Sequence, residues 1–512
     1  MKKMFGRCLS AALILALTLV LCPGLDAKAE EDVSMFTMDG TTITGYTGPG
    51  GDVVLPATAT AVADYAFAGN ASIASVTIPA NITSVGSYSF SGCTGLGSAV
   101  FAGGVNLGSG VFYGCSALGY VELPGGLGAI PAETFDGCGS LGAVSIPDSV
   151  GSIGAQAFNG CGSLSAIGIP GSVTEIGSGA FNNCVSLSDI TIPSSVTSMG
   201  SGVLAGCSSL SSVSLSGGMS SIPELTLYGC SALGTVSIPG SVGSIGAQAF
   251  GNCSGLSSIS IPANTTSIDL SAFDGCSSLT EITIESGNGS YSSSDGAIFD
   301  SSQSQLLYSP MGKSSLTLPQ GMTTIGSSAF SESPYIYNLV IPDTVTTIEA
   351  DAFTGSGIGT VTIPSSVTSI GSQSSWTPDV IYGVNGSEAE RFANANGYIF
   401  EGEGGGGSED PNDPNDPNDP NDPNDPKDPK DPKDPNKPNG NGGGTTTTTT
   451  TGTGGSGVRT VNSVSRNLGT ARVQSGTPKT GVAFDARYAL FAGIFLAGAC
   501  LVITKKKKSV KL

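Results

Sequence analysis

Nine cysteines recur at a near-constant interval: Cys93, Cys115, Cys138, Cys161, Cys184, Cys207, Cys230, Cys253 and Cys276 stand 22 or 23 residues apart. Regular thiols in an exported chain invite a disulfide reading, and a thiol can also act as a nucleophile. Nine is odd, and side chains at one repeat position of a stacked structure point the same way rather than at each other, which disulfide geometry does not accommodate. Elsewhere the same position holds Asn70, Ser333 and Ser356, small hydrogen-bonding residues that cannot form a bridge. Histidine is absent from all 512 residues. That removes the usual base of a catalytic thiol and the usual zinc or haem ligand. The favoured reading is a structural ladder of reduced thiols, each bonding loop backbone that would otherwise go unpaired.

No other constellation takes the place of histidine. A Ser–Lys pair would have to use Lys313, the lone lysine of the repeat array. The carboxylates show no pairing in sequence, and no glycine-rich loop carries the Lys-Ser/Thr of a phosphate cradle. The chain therefore reads as a non-enzyme with no metal and no cofactor. Asp plus Glu number 40 against 20 Lys plus Arg, a net charge of −20. Between Glu30 and Glu403, 28 acids face only Lys313 and Arg391. Nucleic acid and anionic lipid repel such a surface, whereas a basic protein surface is steered toward it. Acidity that merely solubilises the chain is an equally sufficient account.

The elements that position the cysteines follow from the repeat. Proline follows a branched aliphatic or leucine at Pro56, Pro79, Pro124, Pro147, Pro170, Pro193, Pro239, Pro262, Pro319, Pro342 and Pro364, mostly at gaps of 23 or twice that. In the unit from Ile146 the apolar positions are Val150, Ile153, Ala157, Phe158, Cys161, Leu164, Ile167 and Ile169. The last three alternate with the period of a strand buried on one face, and the next proline ends it. Ala155 to Phe158 is too short for a stable helix and reads as a turn or a brief helical coil. One unit cannot bury its own apolar edge, but stacked units can, with their strands paired in parallel. A phenylalanine column three residues before the cysteines, from Phe67 to Phe353 with Leu204 and Leu227 substituting, reads as stacked core rather than a ligand platform.

The unit I-P-x-S-V-T-S-I-G-x-x-A-F-x-G-C-x-S-L-x-x-V is almost intact over residues 169–190 and 238–259. It resembles the BspA-type leucine-rich repeat. The resemblance covers about residues 33–402 and implies a repeat solenoid with a parallel β-sheet face. It divides the region into an N-terminal cap (30–54), the solenoid (55–379) and a C-terminal cap (380–402). Residues 286–313, with Asp295-Gly296-Ala297-Ile298-Phe299, are similar to a hairpin insertion common between such repeats. The cap also reads unaided: Ser387 and Glu390 form a capping box, Ala389, Phe392 and Ala393 an apolar face, and Gly397 a stop.

The two ends are addresses. Residues 1–29 read as a secretory signal peptide, with Lys2, Lys3 and Arg7, an apolar run, and Ala27-Lys28-Ala29 for cleavage. Cys22 offers a lipoprotein alternative, although Leu21 is larger than a lipobox admits. At the far end, Thr477, Pro478, Lys479, Thr480 and Gly481 (477–481) precede an apolar span at 488–504 and a basic tail at 505–512. This order resembles a sortase sorting signal of Gram-positive surface proteins, with Thr477 where the usual motif has leucine. The resemblance implies a sortase that cuts between Thr480 and Gly481. If Thr477 prevents the cut, the C-terminal helix stays in the membrane, its lysines cytoplasmic. Either outcome places the repeats outside the cell.

Residues 403–476 form a disordered stalk of glycine, D-P-N and D-P-K triplets, and threonines. In polyproline II a triplet repeat spaces its aspartates about 9 Å apart, too wide for two to share a calcium. A solvated spacer is the simpler reading.

The outward positions of the strands are mostly small hydroxyl residues, able to give and accept hydrogen bonds across a flat face. Plain solubility and β-propensity account for any single Ser or Thr. Tyr120, Glu122, Asp189 and Glu281 depart from that background and are the candidate contacts. By family resemblance the expected function is adhesion to host matrix proteins or other cells, through a protein or cell-surface ligand. The alternative is a structural or self-associating surface component with no external ligand.

Overall fold

The computed structural model describes residues 33–403, and each coil runs through two parallel strand ladders and a turn face. The longer ladder carries the expected strands. Asp189–Ile192 alternates exposed and buried side chains, with Ile190 and Ile192 inward, and Pro193 follows it. It pairs with Ser212–Leu215 in parallel, residue for residue at a shift of 23. Pairing of this kind joins Gly51–Val54 through Tyr120–Glu122, then Asp189–Ile192 through Glu281–Ile284, then Asn338–Val340 through Phe400–Glu403. Between the first two sheets the ladder thins to single bridges, Ser145 with Gly168 and Ala166 with Asp189.

The second ladder is one the repeat pattern did not reveal. Its strands are two residues long, such as Ser152–Ile153 and Glu175–Ile176, also paired in parallel. Two residues are too few to show a period, so only the neighbouring coil makes them a strand.

The third face consists of turns, with a single 3-10 segment at Leu270–Phe273. Here too the backbone bonds run between coils: Gln156 N–H donates to Ser178 O at 2.9 Å and Phe158 N–H to Ala180 O at 2.8 Å. All three sides of each coil thus satisfy peptide groups on the next coil, which a lone coil would leave to water. Most turns have two left-handed positions four residues apart, for example Gln156 (φ 56°) and Gly160 (φ 68°). The second is nearly always glycine, with Asn183 and Asn252 among the exceptions, in keeping with the low cost of this conformation for Gly and Asn.

The phenylalanine column is buried and stacked, with ring centroids of Phe135 and Phe158 5.2 Å apart and of Phe158 and Phe181 5.4 Å apart. At the C-terminal end Trp376 extends it, 4.7 Å from Phe353, with its indole N–H donated to Ile358 O at 2.9 Å. The expected hairpin region holds three strands rather than two: Tyr291–Ser294, Ala297–Asp300 and Gln305–Tyr308. The third takes a rung in the short ladder beside Thr324–Ile325. The apolar interior divides at this insertion into two clusters, one from Ile43 to Tyr308 and one from Ala297 to Ala393.

The C-terminal cap is a strand, a helix and a strand: Val380–Val384, Glu388–Asn396 and Phe400–Glu403. The last strand reaches Glu403, one residue past the expected boundary. Ala389, Phe392 and Ala393 are buried and Gly397 is left-handed (φ 73°). Neither bond of the capping box forms. Glu390 accepts from the N–H of Gly386 at 2.6 Å rather than from that of Ser387, and the Ser387 hydroxyl is buried without a partner.

Among the described residues no helix is long and apolar enough to cross a membrane. The signal peptide, the stalk beyond Glu403, the sorting motif, the membrane span at 488–504 and the basic tail lie outside the described residues.

Candidate functional site

The cysteines lie inside the coils and are all free and buried. Each thiol donates to the carbonyl at the phenylalanine position of the preceding coil. Cys115 Sγ lies 3.0 Å from Phe90 O, Cys161 Sγ 3.3 Å from Phe135 O, and Cys276 Sγ 3.1 Å from Phe250 O. These carbonyls are not otherwise unpaired, since Phe90 O already accepts the N–H of Cys93 at 3.2 Å. The thiol therefore uses a second lone pair. Nor are the substitutes equivalent: the hydroxyls of Ser333 and Ser356 are buried without partners. A carbon–sulfur bond is longer than a carbon–oxygen bond, which is the physical reason sulfur reaches and oxygen does not. Burial pushes the thiols of Cys138, Cys253 and Cys276 up to about 12, so they stay protonated and unreactive at neutral pH.

The outward face of the longer ladder is the open surface of interest. Tyr120 and Glu122 are exposed on one strand, with the phenol 3.5 Å from Glu122 Oε2. Asp189 begins its strand and accepts from the Ser188 hydroxyl at 2.9 Å. Glu281 begins another and accepts from Thr283 at 3.5 Å. All four are exposed, but the structure does not gather them. Tyr120 and Asp189 are three coils apart and Asp189 and Glu281 four, about 14 Å and 19 Å at the usual strand spacing.

Glu281 lines an open cleft of about 510 Å³ between the strand and the hairpin, shared with Thr283, Ser293, Asp295 and Lys313. Lys313 is paired with Asp295 Oδ1 at 2.9 Å and also donates to the Asp295 carbonyl. Partial burial works to raise the Asp295 carboxyl, but the Lys313 ammonium and the Thr317 N–H hold it below its ordinary value. Among the described residues no group of three or more metal-ligating side chains stands together.

Two tyrosine arrangements were missed. Tyr88 lies across Gly110 of the next coil, where an added Cβ would stand 2.3 Å from Tyr88 Cε1, and donates to Glu133 Oε2 at 2.7 Å two coils away. Tyr65 stacks on Tyr88 with centroids 5.4 Å apart. Beyond the hairpin, Tyr337 lies in the same way across Gly359 and donates to Asp379 Oδ2. Nearby Val340 is 68 % exposed, and Tyr382 continues its register row through Thr362. The signal for the second arrangement existed: Leu339-x-Ile341 and Val361-x-Ile363 repeat the strand pattern, so the outward column runs on past Thr283 into Val340, Thr362 and Tyr382.

A family model described as the BspA type leucine-rich repeat region, in six copies, matches residues 51–141, 128–257, 220–310 and 244–376. Among solved structures, a leucine-rich repeat protein from Bacteroides ovatus is similar at 21 % identity, covering 72 % of this chain and 97 % of its own, with a TM-score of 0.52. A leucine-rich cell surface protein from Faecalibacterium prausnitzii is similar at 25 % identity, covering 70 % of this chain and 97 % of its own, with a TM-score of 0.44. No curated protein matches the chain.

Proposed function

The chain belongs to the BspA-type leucine-rich repeat family, and on that premise we propose that it is a non-enzymatic surface protein that binds a protein or cell-surface ligand and so mediates adhesion. The single observation that carries this reading is the outward face of the longer ladder. It is a solvent-exposed face rich in Ser and Thr, and Tyr120, Glu122, Asp189 and Glu281 are among its departures from them. Such a surface has many hydrogen-bonding groups and no enclosed pocket for a small substrate, which suits contact with an extended partner. The order of signal peptide, repeats, stalk, Thr477–Gly481 motif and apolar span supports display outside the cell, with a sortase as processing enzyme or the C-terminal helix as membrane anchor.

The test compares cells displaying the chain with cells displaying Tyr120→Ala plus Glu122→Ala. Attachment to host matrix or to other cells falls in the variant if this face binds. Equal attachment sinks the assignment to these two residues. A chain that attaches to nothing but copies of itself would establish the self-associating alternative. Anchoring is read separately with Thr480→Ala, which shifts the protein from the wall fraction to the membrane if a sortase cuts there.

A further inference from the structure

Beyond the hairpin, the strand Asn338–Val340 of the longer ladder and the segment leading into it depart from small hydroxyls. Tyr335 and Tyr337 are exposed, Tyr337 by 51 %, and so is Val340. Tyr337 is not a loose surface ring. It occupies the space that a side chain at residue 359 would fill, since the atoms nearest to a Cβ on Gly359 would be Tyr337 Cε2, Tyr337 Cζ and Asp379 Oδ2. The hydroxyl is tethered to Asp379, and that bond raises the phenol above its ordinary value. A ring seated over Gly359 with its hydroxyl bound to Asp379 has given up rotamer freedom before any partner arrives, which reduces the cost of binding. Its open face is electron-rich, and a carboxylate stands at its hydroxyl end. An aromatic face beside a carboxylate is the pairing that receives a guanidinium or ammonium group. The surroundings agree in sign: residues 33–403 hold 25 acidic side chains against Lys313 and Arg391.

We infer that Tyr337, Gly359 and Asp379 form a receiving site for an arginine or lysine side chain of a basic partner segment, stacked on the Tyr337 ring and paired with Asp379. This rests on the binding role proposed above and gives it a partner chemistry and a place on the sheet. Gly359 is a positioning residue: it makes the room in which the ring lies.

The probe is a nine-residue Gly/Ser peptide with three arginines, titrated calorimetrically against the full-length chain. The control peptide carries citrulline, the neutral isostere, at the same places. The arginine peptide is expected to bind and the citrulline peptide to bind at least tenfold more weakly. Tyr337→Ala is expected to weaken the arginine peptide about three- to fivefold, the range of one exposed cation–aromatic contact. Gly359→Ala, which displaces the ring without removing it, is expected to do the same, while Tyr113→Ala on the turn face leaves affinity unchanged. Equal binding by wild type and Tyr337→Ala overturns the site, as does equal binding of the two peptides. Peptide binding that depends on Tyr337, in cells whose attachment is unaffected by Tyr337→Ala, supports the site and counts against the adhesive reading. Attachment by wild-type cells without any arginine-peptide binding does the reverse.

Discussion

Ile298 and Phe299 are neighbours on the middle strand of the insertion, both fully buried, and their side chains enter different cores. Alternation along a strand normally puts one residue inside and the next in water. Here coils lie on both sides of the strand, so the insertion seals two apolar stacks at once.

That relationship predicts unequal local effects. Phe299→Ala is expected to cost about 3–5 kcal/mol and Ile298→Ala about 2–5 kcal/mol, the usual range for emptying a buried site. Coils couple mainly to their neighbours. Hydrogen exchange should therefore quicken around residues 318–353 for Phe299→Ala and around 259–284 for Ile298→Ala. Identical exchange maps would contradict a divided interior.

The cysteine column predicts that serine is a poor substitute. Cys161→Ser would leave a buried hydroxyl short of Phe135 O, as Ser356 already is, at a cost of about 1–3 kcal/mol. The reverse change, Ser356→Cys, should stabilise by about 0.5–1.5 kcal/mol if the thiol reaches Phe330 O. Urea midpoints read both. A serine variant as stable as the parent would show that the thiol–carbonyl bond contributes nothing.

Alkaline conditions should destabilise the protein. The buried thiols of Cys138, Cys253 and Cys276 are raised from 9.0 to about 12. Between those values the unfolded chain has lost protons that the native state keeps, so stability falls as pH rises. Below pH 9 both states hold the protons and these groups leave stability unchanged. Melting temperature is expected to be flat from pH 7 to 8.5 and to drop from pH 9 upward. Replacing Cys138 with alanine, whatever its constant cost, should make that drop shallower.

Tyr88 offers a spectroscopic check of the turn face. The bond to Glu133, then burial, push its phenol up to about 12. Phenolate absorbance should show a tyrosine titrating near there that disappears in Tyr88→Phe and moves toward 10 in Glu133→Gln. If Glu133→Gln leaves the curve unaltered, the two side chains do not meet in solution.

Helix capping shows where reading residues in order stops being enough. Ser387 and Glu390 stand at the spacing of a capping box, yet Glu390 bonds the N–H of Gly386 and the Ser387 hydroxyl bonds nothing. The spacing of a motif says which groups are near each other along the chain, but not which of two adjacent N–H groups a flexible carboxylate will choose. The candidate contacts show the same limit. Tyr120, Asp189 and Glu281 were visible as departures from a hydroxyl column, but their separation depends on how many coils intervene.

What the residues alone determined is the repeat. Ile, Phe, Cys and Leu at 23-residue spacing dictate stacked coils, because an apolar edge repeated on every coil can leave water only against its neighbour. The inward columns and the outward Ser and Thr follow from the same alternation. The fold alone decided the rest: the two-residue ladder, the partition of the interior at Ile298 and Phe299, and the laying of Tyr88 and Tyr337 over glycines one coil away. These relationships join residues from different coils, and their geometry is set by the rise and rotation between coils, which no single stretch of chain encodes.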